Sequence, residues 1–311
     1  MRWRYFLRNY KEMNQPDRIF GCLIGGAIGD AFGGAYENQM PPINFAKARN
    51  WCLSDDTHLT LATCEAIIEA NGQIEPARIA ARFAAWHRAG RVTGIGASTL
   101  KALTELVAGG HWALVGRKGE RAAGNGAAMR IAPLAFFLDP QSSRDKQIIR
   151  DVSRITHHHD EAYAGALAIV AAIRAVFDGT WKGEQNLLAQ VMDILPDTSV
   201  RDRLLALTKL NLPIAAIAGR FGNSGYVVES VPLAIYGAQQ ITALGFAQLM
   251  RELISAGGDT DTIASMAGQI AGTLLGQAGL PSDLIACLPE QEIILSTARS
   301  LAVIRTPLLR V

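Results

Sequence analysis

Apolar residues recur every three or four positions along most of the chain, which is the spacing of a helix with one buried face. Strict alternation of apolar and polar residues, the mark of a strand, is scarce. No segment has the composition of a linker. The pattern predicts a single all-α domain of about a dozen helices at residues 17–311, after an N-terminal extension at residues 1–16. The predicted helices span residues 19–35, 54–70, 76–89, 96–108, 127–137, 146–155, 161–178, 185–195, 199–209, 231–244, 246–255, 262–279 and 284–301.

Glycines recur at every fourth position in two of the predicted helices, so each set lies along one helical face. Small side chains on such a face let two helix backbones approach closely. We therefore expect each stripe to be a groove that receives another helix. The stripes are Gly21, Gly25, Gly29 and Gly33 in the first helix, and Gly268, Gly272 and Gly276 in the helix at 262–279.

Charge and cysteine content narrow the function classes. The 30 Lys and Arg residues nearly balance 28 Asp and Glu residues, so general attraction to nucleic acid or an anionic membrane is not expected. The four cysteines lack CxxC spacing, which favours reduced thiols in a cytoplasmic protein.

The basic N-terminus lacks the continuous apolar stretch of a secretory signal. Polar residues such as Asp30 and Arg174 interrupt the apolar segments, so membrane-spanning helices are not expected either.

Two acidic clusters stand where the chain passes from loop into helix: Ser54-Asp55-Asp56-Thr57 and Gly258-Asp259-Thr260-Asp261-Thr262. Helix capping alone would explain one such cluster. Both adjoin strongly apolar helices that would draw them inward, and clustered carboxylates repel unless they are protonated or bridged by cations. Oxygen ligands without Cys or His favour Mg²⁺ or Mn²⁺ over zinc. The sequence leaves open whether the two clusters meet in space.

Five ordered motifs carry a resemblance to a known family. They are Gly29-Asp30 with Tyr36-Glu37, Ser54-Asp55-Asp56-Thr57, Gly124-Asn125-Gly126-Ala127-Ala128-Met129-Arg130, Thr156-His157 and Gly257-Gly258-Asp259-Thr260-Asp261-Thr262. The chain resembles the ADP-ribosylglycohydrolases, whose bacterial prototype is dinitrogenase reductase-activating glycohydrolase. The resemblance covers about residues 17 to 280.

The resemblance implies an orthogonal all-α bundle with two Mg²⁺ or Mn²⁺ ions at the bottom of a cleft. The implied metal ligands are Ser54, Asp55, Asp56, Asp259, Asp261 and Thr262. Glu37 matches a glutamate that acts as general acid or base and contacts the reacting ribose, and Asp55 is the alternative proton carrier. Asp30 is expected to support the metal ligands through hydrogen bonds rather than to bind metal directly.

The resemblance also implies a set of substrate-binding residues. Gly124, Asn125 and Gly126 match a loop that binds the distal ribose and diphosphate of ADP-ribose, and Gly96 is expected on the same wall. His157 matches a ligand-contacting histidine. Tyr226 resembles a segment near the adenine end of the cleft, although its type fits a core aromatic equally well.

The function implied is hydrolysis of the glycosidic bond that joins ADP-ribose to a modified protein side chain, with arginine as the first choice. ADP-ribosyl-serine, nucleic-acid ends and small ADP-ribose derivatives are alternatives. A second class is a non-catalytic, partner-blocking protein of the immunity type that binds ADP-ribose or an ADP-ribosyltransferase. The expected partner is an ADP-ribosylated protein, and neither a membrane nor nucleic acid is expected to bind.

Overall fold

The computed structural model describes residues 14–37, 39, 41–45 and 50–306, and helices account for most of them. Within this part of the chain there are fifteen α-helices and one pair of parallel two-residue strands, β1 (Arg117–Lys118) and β2 (His157–His158). The helices are α1 (Gln15–Gly34), α2 (Asp55–Glu69), α3 (Pro76–Arg88), α4 (Ala97–Val107), α5 (Ser143–Arg154), α6 (Asp160–Phe177), α7 (Leu187–Met192), α8 (Ser199–Thr208), α9 (Ile214–Phe221), α10 (Val227–Gln239), α11 (Ile241–Leu244), α12 (Phe246–Ser255), α13 (Thr260–Leu275), α14 (Ser282–Ala286) and α15 (Gln291–Arg305). The all-α prediction is confirmed.

One of the predicted helices is absent, and several others begin or end at different residues. Residues 127–137 do not form an α-helix, because the chain there makes short 3₁₀ turns at Asn125–Ala127 and Ala132–Phe136. The predicted helix at 284–301 is divided by the left-handed Glu290, where φ is 52°. Helix α10 ends at Gln239, five residues before the predicted end. Helix α9 is not among the predicted helices, because its apolar stretch is only eight residues long.

Helices α1 and α13 pack with their backbones in direct contact along the two glycine stripes. A Cβ added at Gly29 would lie 2.1 Å from the Ala264 carbonyl oxygen, and one at Gly272 would lie 2.0 Å from the Gly21 carbonyl oxygen. Only hydrogen fits in these positions, so each stripe is the groove that the sequence predicts. The contact fixes the C-terminal end of α1 beside the N-terminal end of α13, where Thr260 Oγ1 donates to the Gly33 carbonyl at 2.9 Å.

The start of α1 lies inside the extension predicted at residues 1–16. Asn14 caps the helix, because its Oδ1 accepts a hydrogen bond from the Asp17 amide at 3.0 Å. Residues 1–13 of the predicted extension lie outside the described residues. Among the helices that the structure describes, none has the length and apolarity that crossing a membrane requires.

Candidate active site

Asp30 lies inside α1 and caps the neighbouring helix α2 rather than its own. Its fully buried carboxylate accepts hydrogen bonds from the Ser54 amide at 3.0 Å, the Thr57 amide at 3.1 Å and the Thr57 hydroxyl. These are donors at the start of α2 that the helix itself cannot satisfy. Burial raises the pKa of Asp30, and the hydrogen bonds from Thr57 and Ser54 act in the opposite direction. Asp30 therefore holds the start of α2 in place, and its role toward a metal ion stays a prediction.

The first turn of α2 carries the first acidic cluster. Ser54 has an extended backbone and accepts a hydrogen bond from the Asp56 amide at 3.2 Å, so it is the N-cap that the sequence predicts. Asp55 and Asp56 follow and are both buried. The Ser54 hydroxyl also donates to Asp56 Oδ2 at 3.1 Å, which holds the Asp56 carboxylate at the start of the helix.

The second acidic cluster begins α13 after a glycine turn. Gly258 has φ +78°, and a Cβ on it would lie 2.1 Å from the Asn223 carbonyl oxygen, so the turn requires glycine. Asp259 is at the N-cap position, but its side chain does not cap the helix. Its Oδ2 instead accepts a hydrogen bond from the Asn125 side-chain amide at 2.6 Å. The carboxylate of Asp259 is therefore directed away from its own helix.

The two clusters meet in space. Thr262 Oγ1 donates to Asp56 Oδ2 at 3.2 Å, across 206 positions of sequence. Carboxylate oxygens of Asp30, Asp56 and Asp261 lie within 4.8 Å of one another, and so do those of Glu37, Asp259 and Asp261. The question that the sequence leaves open is thus answered by the contact between α2 and α13.

Without a bound cation, the negatively charged form of these carboxylates is unfavourable, because the groups are buried and lie close to one another. Burial, with smaller contributions from neighbouring carboxylates, raises the pKa of Asp55 to about 8 and that of Asp261 to about 9. The same causes raise the pKa of Asp56 well above its ordinary value. Asp56 Oδ1 is buried and has no hydrogen-bond partner in the described residues. A hard divalent cation fits this donor set, because it would neutralise the carboxylates and give Asp56 Oδ1 a partner.

The metal-free protein is expected to lose stability as pH rises from 7 to 9. Asp55 and Asp261 hold protons in the folded state up to about pH 8 and 9, whereas in the unfolded chain they ionise near pH 4. The folded state therefore binds more protons, and the free energy of unfolding falls by up to about 1.4 kcal/mol per pH unit for each proton retained. His157, with its pKa lowered to about 3, is neutral when folded and largely neutral when unfolded in this window. Chemical unfolding in the presence of a chelator at pH 7, 8 and 9 measures the slope, and a flat profile would contradict it.

A cavity of about 980 Å³ opens beside the carboxylates. This volume is sufficient for a nucleotide-sized ligand. Its lining includes most of the predicted site residues: Glu37, Ser54, Asp55, Gly96, Gly124, Asn125, Gly126, His157, Asp259, Asp261 and Thr262. Asp56 is not in the lining, because it lies behind Ser54 and Thr262 and is 1% exposed.

The glycine loop, which consists of Gly124, Asn125 and Gly126, forms the wall of the cavity next to Asp259. Asn125 fixes this loop, because its backbone amide donates to the Gly225 carbonyl at 3.0 Å and its side chain donates to Asp259. A Cβ added at Gly126 would lie 2.7 Å from His157 Cε1, so the imidazole packs directly against the loop backbone. Because Gly124 and Gly126 have no side chains, His157 packs against the loop backbone, and all three residues line the cavity.

A family model described as ADP-ribosylglycohydrolase matches residues 11–307. The chain belongs to the ADP-ribosylglycohydrolase family. ADP-ribosylarginine hydrolase Tri1 of Pseudomonas putida is 28% identical over 288 residues, which cover 86% of this chain and 73% of that protein. ADP-ribosylhydrolase ARH3 of Homo sapiens is 28% identical over 320 residues, which cover 86% of this chain and 87% of that protein.

A solved structure described as an ADP-ribosylglycohydrolase-related protein complex has the same fold. It matches with a TM-score of 0.70 and 25% identity over 94% of this chain and 99% of that chain. The resemblance and the fold class predicted from sequence are therefore confirmed. Membership of the ADP-ribosylglycohydrolase family supports an ADP-ribosylglycohydrolase activity for the chain.

Two predicted site residues of this ADP-ribosylglycohydrolase, Glu37 and Tyr226, are exposed. Glu37 is an exposed lining residue whose pKa is raised by partial burial and by Asp259. Tyr226 is 42% exposed and does not line the cavity. Its backbone bridges to Gly124, so it lies beside the glycine loop, and its contact with the adenine end of a ligand stays a prediction.

Several residues that line the cavity of this ADP-ribosylglycohydrolase are not among the predicted site residues. Thr99 is 2% exposed and lies against Gly126, where a Cβ would be 3.0 Å from its Oγ1. The Thr93 hydroxyl donates to the Leu53 carbonyl at 2.9 Å and so holds the loop between α3 and α4 against the start of α2. The cluster of small and hydroxyl residues around Gly96 is the signal that could have indicated them. The remaining lining residues include Cys52, Ser98, Met129, Asn223 and Ser224.

Proposed function

We propose that the chain is a metal-dependent hydrolase that removes ADP-ribose from a modified protein side chain, with ADP-ribosyl-arginine as the first substrate to test. The observation that carries the proposal is the meeting of two acidic helix starts beside a cavity walled by the glycine loop. Family membership supports the hydrolase activity. The choice of arginine is supported by the relatives from Pseudomonas putida and Serratia proteamaculans, which are named ADP-ribosylarginine hydrolases.

The metal part of the proposal concerns two Mg²⁺ or Mn²⁺ ions between α2 and α13. The residues that would hold them are Ser54, Asp55, Asp56, Asp259, Asp261 and Thr262. Support comes from the oxygen-only donor set and from the unpartnered Oδ1 of Asp56. When bound, such ions supply positive charge that orients ribose hydroxyls and makes a water molecule more acidic.

Glu37 and Asp55 are the residues proposed to move protons. Hydrolysis joins a water oxygen to the anomeric carbon, and the leaving side chain gains the proton that the water loses. Glu37 lines the cavity and has a carboxylate oxygen within 4.8 Å of Asp259 and Asp261. Partial burial and the neighbouring Asp259 raise its pKa, which is the direction that favours a carboxyl group as general acid. Asp55 lines the same cavity and is the alternative carrier.

The glycine loop and His157 are proposed to bind the phosphate and ribose oxygens. The backbone amide of Asn125 donates to Gly225 and its side-chain amide donates to Asp259, so Asn125 would position the loop rather than bind the ligand. The amides of Gly126 and Ala127 come next in the 3₁₀ turn at Asn125–Ala127, which is too short to give them a carbonyl partner, and they are proposed to donate to an anion. Gly96 is the N-cap residue of α4 and lines the cavity, where its amide donates a hydrogen bond to the Asp55 carboxylate.

Wild-type protein should release free ADP-ribose from an arginine-ADP-ribosylated protein in the presence of Mg²⁺ or Mn²⁺. Asp259→Ala removes a proposed ligand, and Glu37→Gln removes a proposed proton carrier while keeping the shape. Each should lower kcat/KM by about 100-fold or more. Release is measured by mass spectrometry of the substrate protein. The matched control is Asp197→Asn, because the Asp197 side chain is 95% exposed, and it should leave the rate unchanged.

The same assay separates the alternatives. Full activity of Asp259→Ala would contradict the two-metal proposal. Cleavage of serine-linked or nucleic-acid-linked ADP-ribose instead of the arginine linkage would keep the hydrolase and reassign its substrate. A wild-type protein that cleaves no linkage but binds ADP-ribose or an ADP-ribosyltransferase tightly would favour the non-catalytic, partner-blocking alternative.

A further inference from the structure

A buried arginine lies behind the glycine loop, outside the carboxylate clusters. Arg130 is 0% exposed, and its guanidinium lies 4.7 Å from the centre of the Phe83 ring. Its Nη2 donates to the Val152 carbonyl at 3.3 Å and to Thr156 Oγ1 at 2.8 Å. Its Nε and Nη1 have no hydrogen-bond partner in the described residues. Burying a guanidinium with two nitrogens that lack hydrogen-bond partners destabilises the folded state, so the residue is expected to have a role beyond packing.

The link continues from Thr156 to His157. Thr156 Oγ1 lies 2.8 Å from His157 Nδ1, and Thr156 is 0% exposed. A guanidinium can only donate hydrogen bonds, so Thr156 Oγ1 must accept the bond from Arg130. The hydroxyl still has one hydrogen to donate. Within the described residues, His157 Nδ1 is the one acceptor that its side chain reaches.

This arrangement assigns the hydrogens on the His157 ring. If Nδ1 carried a hydrogen, it would donate to Thr156 Oγ1 and leave the buried hydroxyl hydrogen without an acceptor, which is unfavourable. Nδ1 therefore accepts, and the neutral ring carries its hydrogen on Nε2. Burial, together with the positive charge of Arg130, lowers the pKa of His157 to about 3, which agrees with a neutral ring.

The Nε2 side of the ring lies against Gly124 and Gly126, which line the cavity. A Cβ added at Gly124 would lie 3.1 Å from His157 Nε2, so this nitrogen lies beside the loop backbone. His157 is 3% exposed and lines the cavity, and in the described part of the chain Nε2 has no hydrogen-bond partner. An N–H group held there is complementary to an oxygen of a bound ligand.

We propose that Arg130 and Thr156 are positioning residues that hold His157 as a neutral imidazole whose Nε2–H donates into the cavity. The group that receives the hydrogen bond is a phosphate or ribose oxygen, a statement that rests on the proposed function. Arg130 acts through Thr156 and makes no contact with the ligand. The arrangement delivers a donor of fixed direction to the wall formed by Gly124 and Gly126.

The first test reads the ring hydrogens of the full chain without any ligand. Long-range ¹H–¹⁵N NMR distinguishes a protonated from an unprotonated ring nitrogen, and the missing signals in His157→Gln assign His157 among the six histidines. The expected result is a protonated Nε2 and an unprotonated Nδ1. A protonated Nδ1 on His157 of the wild-type protein would overturn the proposal.

The second test measures ADP-ribose binding by calorimetry. Thr156→Val keeps the shape but removes the hydroxyl, so it should weaken binding about tenfold, the effect expected for one hydrogen bond to a charged group. Thr156→Ser keeps the hydroxyl and should restore binding to within about twofold. In the His157→Gln background, Thr156→Val should cause no further loss, because glutamine has no ring hydrogen to fix.

The two tests fail in different ways. An equal loss from Thr156→Val in both backgrounds would overturn the path through His157. A wild-type protein with the expected ring hydrogens but no affinity for ADP-ribose would overturn the proposed function and the identity of the acceptor oxygen. The assignment of the ring hydrogens would stand in that case, since it is measured without ligand.

Discussion

Replacing Gly29 by alanine should lower the free energy of unfolding by about 3 kcal/mol or more. The new Cβ would lie 2.1 Å from the Ala264 carbonyl oxygen and 2.3 Å from its carbon, and both are backbone atoms that cannot rotate away. Helices α1 and α13 would have to separate, which is the costly form of overpacking in a core. Urea unfolding followed by circular dichroism measures the change.

Gly219→Ala is the matched control for this variant. Gly219 is also inside a helix, α9, but an added Cβ there meets nothing within 4 Å. Alanine should therefore stabilise the protein, by about 0.5–1 kcal/mol, through its higher helix propensity. Similar stabilities for Gly29→Ala and the wild-type protein would show that the two helix backbones are not in contact.

Asp56→Asn should abolish the gain in thermal stability that Mg²⁺ or Mn²⁺ gives to the wild-type protein and lower hydrolysis about a thousandfold. The amide can still accept the hydrogen bonds from Ser54 and Thr262, so the fold is kept. It cannot supply a negative charge, and several kcal/mol of stabilisation would be lost from the proposed metal site. Thermal unfolding with chelator and with each metal measures the first effect, and ADP-ribose release measures the second.

Without metal, the same variant should be at least as stable as the wild-type protein at pH 8. Asparagine imitates the protonated carboxyl that burial and neighbouring carboxylates favour at position 56. Asp197→Asn on the exposed surface should retain the full response to metal. An Asp56→Asn protein that still gains the wild-type stability from Mn²⁺ would contradict the assignment of Asp56 as a ligand.

Local sequence patterns predicted those parts of the molecule that depend on a single segment. The four-residue spacing of Gly21 to Gly33 indicated a groove, and the structure places α13 in it. Ser54 before two aspartates indicated a helix start, and Ser54 is the cap of α2. In both cases the side chains that decide the outcome are close in sequence.

Long-range placement could not be predicted in the same way. The contact between Asp56 and Thr262 depends on how α2 and α13 pack, and no local pattern encodes that. The link from Arg130 to Thr156 depends on the 3₁₀ turns at Asn125–Ala127 and Ala132–Phe136, where the apolar spacing predicted one continuous α-helix. Pro133 lies in the second turn, and a proline there cannot donate the backbone hydrogen bond that a continuous α-helix needs.

The mated glycine stripes also set the register between the two halves of the site. The glycines of each stripe are four residues apart, so a slip of α1 to the next glycine would shift it along α13 by about 6 Å. That shift exceeds the 4.8 Å within which oxygens of Asp30 and Asp261 now lie. One residue inserted between Gly25 and Gly29 would rotate Asp30 by about 100° away from the start of α2. The spacing of the glycines therefore fixes the distance between the carboxylates of Asp30 and Asp261, so the site depends on the glycines as well as on the acidic residues.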